Sequence, residues 1–486
     1  MSTNIPSRFA AASLLAVTLS LSACGAPDLG PRPQLRTPET FQSAQSLADS
    51  KEAAAWPQQQ WWTSYNDPQL NGLVDRALKG SPDVASAVAR IRQAQGAIQT
   101  VRGNLLPQIN GAGDAEVSKQ SYNNGTPASA LPQGWKDYGT LDIAASFNPD
   151  IWGKNRDLLA AATSATEAAV ADERQAELML ASNVVSGYFD LARLLARQDV
   201  LQDALKARQE TAGLTGGRVK QGLDNESPLR QANSLVAQAQ QELEANAEQI
   251  AVRRHALAAL LGEGPDALAD LTPPKIDAIP ETPVPGDASI ALAGRRPDIV
   301  AARRLVESAD KGMSYSKKSF LPDISLSGLI GLTSLGIPHL FDSGSDYGNA
   351  GAAISLPIFQ GGKLAGEYRM ARAGYDTEVA SYNSTVIKAL QDVADSLASR
   401  RSAHAREQNA IVARDQADLA YKLAMMRYKG GLYTYLDVLS TQQTALSARI
   451  SAVDAHYSTL ASEVALTRAL GGGYADDSSK KASDHE

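Results

Sequence analysis

The sequence predicts an α-dominated α+β chain built as two tandem structural repeats, and three observations carry that prediction. First, Tyr138 and Tyr347, Lys154 and Lys363, Arg218 and Arg427, Gly222 and Gly431, and Leu261 and Leu470 each stand 209 residues apart. One offset held across more than 120 residues marks a duplicated unit. Second, the hydrophobic period inside each unit changes from 2 to 3.6 and back, which places alternating strands between helices. Third, helix breakers are absent over long runs: no proline occurs from 150 through 227, and none follows Pro357.

Charge and cysteine usage narrow the function classes. The 486 residues carry 46 basic and 53 acidic side chains, a net charge of −7 with no basic block, which argues against nucleic acid as a partner. The length allows two to four domains of ~100–200 residues. A single cysteine, Cys24, excludes a disulfide scaffold and any multi-cysteine metal site. After the first 25 residues no stretch reaches the ~18 consecutive apolar positions of a spanning helix, so a membrane crossing would need strands.

Taken in order, residues 1–23 read as a secretory signal, with Arg8 ahead of an apolar core too short to span a bilayer. Leu21-Ser22-Ala23-Cys24 resembles a bacterial lipobox, which implies a covalent lipid on Cys24 and no other cofactor. Gly25, in place of an aspartate, implies the outer membrane as destination. Removal of the signal leaves a charge of −8. Residues 24–66 form a lipid-anchored extended segment. Repeat 1 occupies 67–264, a linker with six prolines occupies 265–285, repeat 2 occupies 286–473, and a polar tail closes the chain at 474–486.

Each repeat opens on a helix and then enters a hairpin, about 107–149 in the first repeat and about 322–358 in the second. Leu141, Ile143, Ala145 and Phe147 alternate with Thr140, Asp142, Ser146 and Asn148. Ala350, Ala352, Ile354 and Leu356 keep that parity in the second copy. Such alternation describes strands with one wet and one apolar face. A long helix follows each hairpin; about 59 helical residues at ~1.5 Å each would span ~90 Å. Val379, Tyr382, Val386, Ala389, Val393 and Leu397 mark its narrow apolar stripe, a pattern that a coiled coil would also show. Glycine-bearing turns, about 216–227 and about 429–434, reverse the chain into a second helix in each repeat.

Four strands cannot close a membrane barrel, whose smallest members have eight, and open edges in lipid leave backbone groups unpaired. Three copies would give twelve strands around a wet lumen.

The chain resembles the TolC family, and within it the lipoprotein outer-membrane factors of the OprM and NodT type. The matching stretches are Trp61-Trp62 through Asp67-Pro68-Gln69-Leu70, Asn148-Pro149-Asp150-Ile151-Trp152-Gly153-Lys154, and Leu356-Pro357-Ile358-Phe359 with Gly361-Gly362. Arg427-Tyr428, Gly430-Gly431, Tyr435-Leu436-Asp437-Val438-Leu439, Gln442 and Leu470-Gly471-Gly472-Gly473-Tyr474 complete them. The resemblance implies a homotrimer with a twelve-stranded barrel in the outer-membrane lipid and a long α-helical barrel in the periplasm. It implies a passive exit duct joined by a periplasmic adaptor to an inner-membrane transporter of the RND type. Arg218, Gly222 and Leu223, with Arg427, Gly431 and Leu432, match the tips that meet the adaptor. Leu436, Asp437 and Tyr428 match a periplasmic gate. The family's second ring aspartate is Ser440 here and its latch arginine is Tyr433.

Enzymatic readings find little support. The histidines His255, His339, His404, His456 and His485 are scattered without paired-ligand spacing. Ser314-Tyr315-Ser316-Lys317 satisfies an acylating SxxK motif, yet no Lys-Thr-Gly companion exists. The expectation is a non-enzyme. The alternative function is a non-conducting periplasmic coiled-coil scaffold lipoprotein, which would have no use for a lipid-facing parity kept in both repeats.

Overall fold

A computed structural model describes residues 26–42, 45–46, 54–276 and 279–476. Cys24 and the signal lie outside the described residues. Among the described residues eight α-helices and four strands follow one another: α1 (Pro68–Gly80), α2 (Pro82–Gly103), β1 (Gln108–Ser118), β2 (Lys136–Phe147), α3 (Lys154–Lys220) and α4 (Glu226–Leu260), then α5 (Ala288–Arg295), α6 (Pro297–Lys318), β3 (Asp323–Leu335), β4 (Asp346–Ser355), α7 (Lys363–Lys429) and α8 (Tyr435–Ala469). The chain divides into two compact units. One gathers Arg90–Ala169 and Ala302–Tyr382 with the stretch ending at Leu35; the other gathers Arg36–Ala89, Val170–Ala301 and the chain from Asn383.

The first unit holds a four-stranded antiparallel sheet in the order β1-β2-β3-β4. Its register keeps like with like. Ile143 stands opposite Gly111 and Ile330, Leu141 opposite Gly113 and Leu332, and Ile324 opposite Ile354. Opposed residues share a face, so these side chains form one apolar side. The other side carries Asn110, Asp114, Glu116, Thr140, Asp142, Ser325, Ser327, Thr333 and Asn349. β1 and β4 each pair on one edge only among the described residues.

The second unit is a helical layer with a core of Trp61, Trp62, Tyr65, Leu70, Val184, Tyr188, Phe189, Leu257 and Leu460. Asp67 caps α1 by accepting the amides of Gln69 and Leu70, and its carboxylate also accepts the Tyr188 hydroxyl at 2.6 Å. That bond ties α1 to the middle of α3. The segment before α1 is thus not extended throughout. Residues Trp61–Tyr65 form a 3₁₀ turn, because two tryptophans and a tyrosine in five positions bury against Phe189. At the other terminus Tyr474 packs on Ala171, Val300 and Ala301, so the polar tail begins tethered.

The two longest helices each run 67 residues, longer than the glycine spacing suggested. The first turn was expected at 216–227, but α3 continues through Gly216 and Gly217 to Lys220 and the reversal occupies only 221–225. Mid-helix glycine costs about 1 kcal/mol relative to alanine, and tertiary packing overrides it here: Thr215, one residue earlier, is fully buried. The stripe Val379, Tyr382, Val386, Ala389, Val393 and Leu397 is buried throughout.

Candidate functional site

Two features bear on function: the two-faced sheet and the tip where the long helices reverse. On the sheet, both faces are open, and large aliphatic side chains stand exposed on one of them. Ile330 is 70% exposed and Ile143 56%, while their polar neighbours line the opposite face. A row of outward isoleucine and leucine needs a partner other than water, since each buried aliphatic side chain gains about 1.5–3 kcal/mol.

At the tip, both long helices end in the same motif. Leu223 N–H donates to the Arg218 carbonyl at 2.9 Å and Gly222 N–H to the Val219 carbonyl at 3.0 Å. Leu432 N–H donates to the Arg427 carbonyl at 2.8 Å and Gly431 N–H to the Tyr428 carbonyl at 3.0 Å. These are paired Schellman turns, and they require a left-handed residue. Gly222 and Gly431 supply it with φ of 71° and 73°. The motif usually packs its next residue back on the helix, yet Leu223 is 62% exposed and Leu432 78%. Both leucines point away from the chain's own core.

The two arginines at equivalent repeat positions do different things. Arg218 lays its guanidinium 5.1 Å from the Tyr428 ring centroid and comes within 3.9 Å of Asp224. Arg427 instead donates to the Tyr433 hydroxyl at 2.7 Å and stacks on that ring. Tyr428, 1% exposed, sits in a cluster with Ala212, Ala232, Tyr435 and Val438, and its hydroxyl lies 3.3 Å from Thr215 Oγ1. Tyr428 therefore joins the second tip to the first, within one chain. Burial, with the Tyr428 hydroxyl nearby, pushes the Tyr435 phenol up.

Leu436 and Asp437 open α8 on its exposed side, Leu436 at 63%. Asp437 completes a capping box. Its carboxylate accepts the Thr434 amide at 2.9 Å and the Thr434 hydroxyl at 2.7 Å, while Thr434 Oγ1 accepts the Asp437 amide. The Thr434 hydroxyl and then its amide hold the Asp437 carboxyl below the usual carboxylate range. Thr215 and Thr434 were missed by sequence reasoning. Thr434 was findable, because Thr-x-x-Asp ahead of an apolar run is a helix-start signature. Thr215 was not, since its partner is 213 positions away.

Ser314 of the SxxK motif donates to Asp157 at 2.5 Å, and Lys318 holds the same carboxylate at 2.6 Å. The serine is thereby committed to a helix–helix contact. Among the described residues no group of three or more histidine, cysteine or acidic side chains is placed to hold a metal, and no helix is long and apolar enough to cross a membrane.

Comparison with known proteins completes the picture. The family description "Outer membrane efflux protein" matches residues 73–263 and 289–472, one segment per repeat. The fusaric acid resistance protein FusA of Burkholderia cepacia is 32% identical over 371 residues, 75% of this chain and 69% of that protein. The multidrug resistance outer membrane protein MdtP of Escherichia coli (strain K12) is 29% identical over 404 residues, 80% of each. The crystal structure of the outer membrane protein VceC from Vibrio cholerae superposes with a TM-score of 0.81 at 37% identity, covering 87% of this chain and all of that one.

Proposed function

The chain belongs to the outer membrane efflux protein family, and from that premise we propose that three copies assemble into a continuous duct with a twelve-stranded barrel in the outer membrane. The chain is the exit duct of an efflux pump. The observation that carries the three-copy reading is the sheet register. It gathers Ile109, Leu141, Ile143, Ile324, Ile330 and Ile354 on one face and most of the polar side chains on the other, and among the described residues it leaves β1 and β4 with one free edge each. In lipid those edges need partners, and β4 of one copy beside β1 of the next continues the antiparallel alternation. Twelve is an even strand count within the range of bacterial barrels.

In this reading the polar face, with Asp114, Glu116, Thr140 and Asp142, lines the water path. The exposed Leu223 and Leu432 meet a periplasmic adaptor that bridges to an inner-membrane transporter. Leu436 and Asp437 border the periplasmic mouth, and a lipid on Cys24 adds a second anchor. Cargo chemistry is set upstream by the transporter, and the duct performs no bond-making step. The test is reconstitution of protein extracted from outer membranes into planar bilayers. Stepwise conductance, together with loss of drug tolerance when the gene is deleted and its return on complementation, supports the duct. Protein that inserts without conducting under any voltage, from a strain whose deletion changes no tolerance, overturns it.

A further inference from the structure

Two histidine–carboxylate pairs cross the seam between α7 and α8, and each helix contributes one partner of each kind. His456 of α8 lies 2.7 Å from Glu407 of α7 through Nδ1, and His404 of α7 lies 3.6 Å from Glu463 of α8 through Nε2. His404 and Glu407 stand three residues apart, and His456 and Glu463 seven apart, so each helix presents its two groups on one side. The Glu407 carboxylate is fully engaged, its other oxygen accepting the Thr459 hydroxyl at 2.6 Å. Glu463 is not. Its side chain is wholly buried, Oε2 accepts the Thr282 amide at 2.8 Å, and Oε1 has no hydrogen-bond partner among the described residues. An unpaired oxygen on a buried carboxylate is unfavourable and calls for a donor. His404 Nε2 stands just beyond hydrogen-bond reach of it. Burial first, and then the Glu463 charge, push the Tyr65 phenol up.

The first repeat has no such pairs. At the offset of 209 the four positions are Leu195, Gln198, Ala247 and Arg254, with neither an imidazole nor a carboxylate among them. Leu195 packs on the apolar core there, and Arg254 donates to the Ala269 and Leu271 carbonyls. The α3–α4 seam is therefore closed by apolar packing and fixed charge where the α7–α8 seam carries two titratable contacts. The second hairpin is also the one that bears Leu436 and Asp437. Glu407 stands 22 residues before the end of α7 and His456 stands 21 after the start of α8. At ~1.5 Å per residue the two pairs lie ~33 Å from the tip. Below them the seam is held by Arg449 with Asp418 at 2.8 Å and by Gln442 with the Tyr421 hydroxyl at 3.1 Å, neither of which uses an imidazole.

We propose that these pairs form a proton-operated clasp: protonated His404 and His456 bind Glu463 and Glu407 and lock the second hairpin, with the mouth residues it carries, in mildly acid conditions. Imidazole is the side chain that ordinarily changes charge between pH 5 and 8. A proton on His404 supplies the donor that Glu463 Oε1 lacks, and a proton on His456 turns its contact with Glu407 into an ion pair. The other charged or titratable groups around the clasp are committed elsewhere. Arg400 of α7 donates to the Thr282 carbonyl, Arg406 of α7 to the Ser402 carbonyl and Ser458, and Asp454 of α8 holds Arg193 of α3. Arg401 lies one turn before His404 on α7, Tyr457 of α8 lies near Asp199 of α3, and Tyr65 comes from the 3₁₀ turn. The folded seam binds the protonated imidazoles, so its added stability is present at the acid end of that range and lost as pH rises through it. The clasp lies within one chain; its effect on conduction rests on the three-copy reading above.

The experiment is hydrogen–deuterium exchange of the protein purified from outer membranes in mild detergent, read at pH 8 and pH 5 as protection corrected for the intrinsic rate. Wild type should gain about threefold to tenfold protection at 403–408 and 455–464 at the lower pH. The matching first-hairpin stretches, 194–199 and 246–254, should not change. His404→Gln with His456→Gln, both at part-exposed positions, should abolish the gain, and His404→Gln alone should keep part of it. Wild-type protection that does not rise relative to the first hairpin overturns the clasp, as does a rise that survives in the double variant. In planar bilayers wild type should spend less time conducting at pH 5 than at pH 8, and the double variant should lose that response. Protection that rises with no change in conduction overturns the link to the mouth. A wild-type chain that never conducts overturns the duct, while the exchange measurement still decides the clasp.

Discussion

The guanidinium of Arg218 lies over the ring of Tyr428, 5.1 Å from its centroid, so an arginine of the first repeat's tip holds a tyrosine of the second. The duplicated partner of Arg218 is Arg427, which spends its charge on Tyr433 one turn away. Two arginines that were equivalent at duplication now perform one inter-repeat and one intra-turn contact. Arg218→Gln is expected to remove roughly 0.5–2 kcal/mol of tip stability. Faster proteolytic nicking at 221–225 and a raised resting conductance would report it, with trimer yield unchanged. An unaltered nicking rate would show the stacking to be incidental.

Gly222→Val and Gly431→Val should each distort a tip. The left-handed conformation costs a side-chain-bearing residue roughly 1–2 kcal/mol, and more when β-branched. The expected result is reduced drug efflux with trimers still present in the outer membrane. Asparagine at either position should retain most function, because it tolerates that conformation. Equal loss with asparagine and valine would point to a steric role at the docking surface instead.

Asp437 gives the mouth a pH dependence whose sign is fixed. Its folded carboxyl titrates below the ordinary value, so its support for the start of α8 is present above the unfolded value. That support is lost as pH falls through the folded one. Amide exchange at 435–438 should therefore quicken in wild type below pH ~4, and be insensitive to that change in Asp437→Ala. The same substitution should lower cation preference in bilayers, and Leu436→Ala should raise closed-state conductance. Wild-type selectivity and conductance in both would move the constriction elsewhere on the tip.

Charge on the two faces of the sheet should be tolerated unequally. Ile143→Lys places an ammonium on the apolar face, at a cost of roughly 2–4 kcal/mol near a bilayer midplane. Thr140→Lys places it on the polar one. Trimer recovery should fall sharply for the first and stay close to wild type for the second. Similar recovery would assign the apolar face to something other than lipid.

Cys24→Ser should block acylation and lower outer-membrane yield, since one anchor is removed while the barrel remains. Mass spectrometry of the mature N-terminus checks it: an unmodified Cys24 in wild-type protein would exclude the lipid anchor.

Much of the architecture was legible because it depends on short-range pattern. Alternation along Leu141, Ile143 and Ala145 needs only two neighbours to be read, and the turn-rich stretches between alternating segments mark the two hairpins, whereas the β2–β3 pairing that joins them was not legible. Helix ends were less legible. Gly216 and Gly217 look like a break, but burial of Thr215 against Tyr428 carries α3 past them. The tip contacts were least legible. Arg218 and Arg427 share motif and position, and only the side chains within reach, Tyr428 for one and Tyr433 for the other, separate their roles. The stripe from Val379 to Leu397 was legible as a stripe, but its burial within the chain was not. Periodicity alone does not say which stripe the chain covers itself.

The most direct test of the central claim is the mass of the native particle. Protein extracted from outer membranes in mild detergent and weighed by native mass spectrometry should be three chains, each slightly under the 51.3 kDa of the full sequence after signal removal. It should also collapse to one chain on heating in dodecyl sulfate. A particle of one or two chains that nonetheless conducts would contradict the closed twelve-stranded duct.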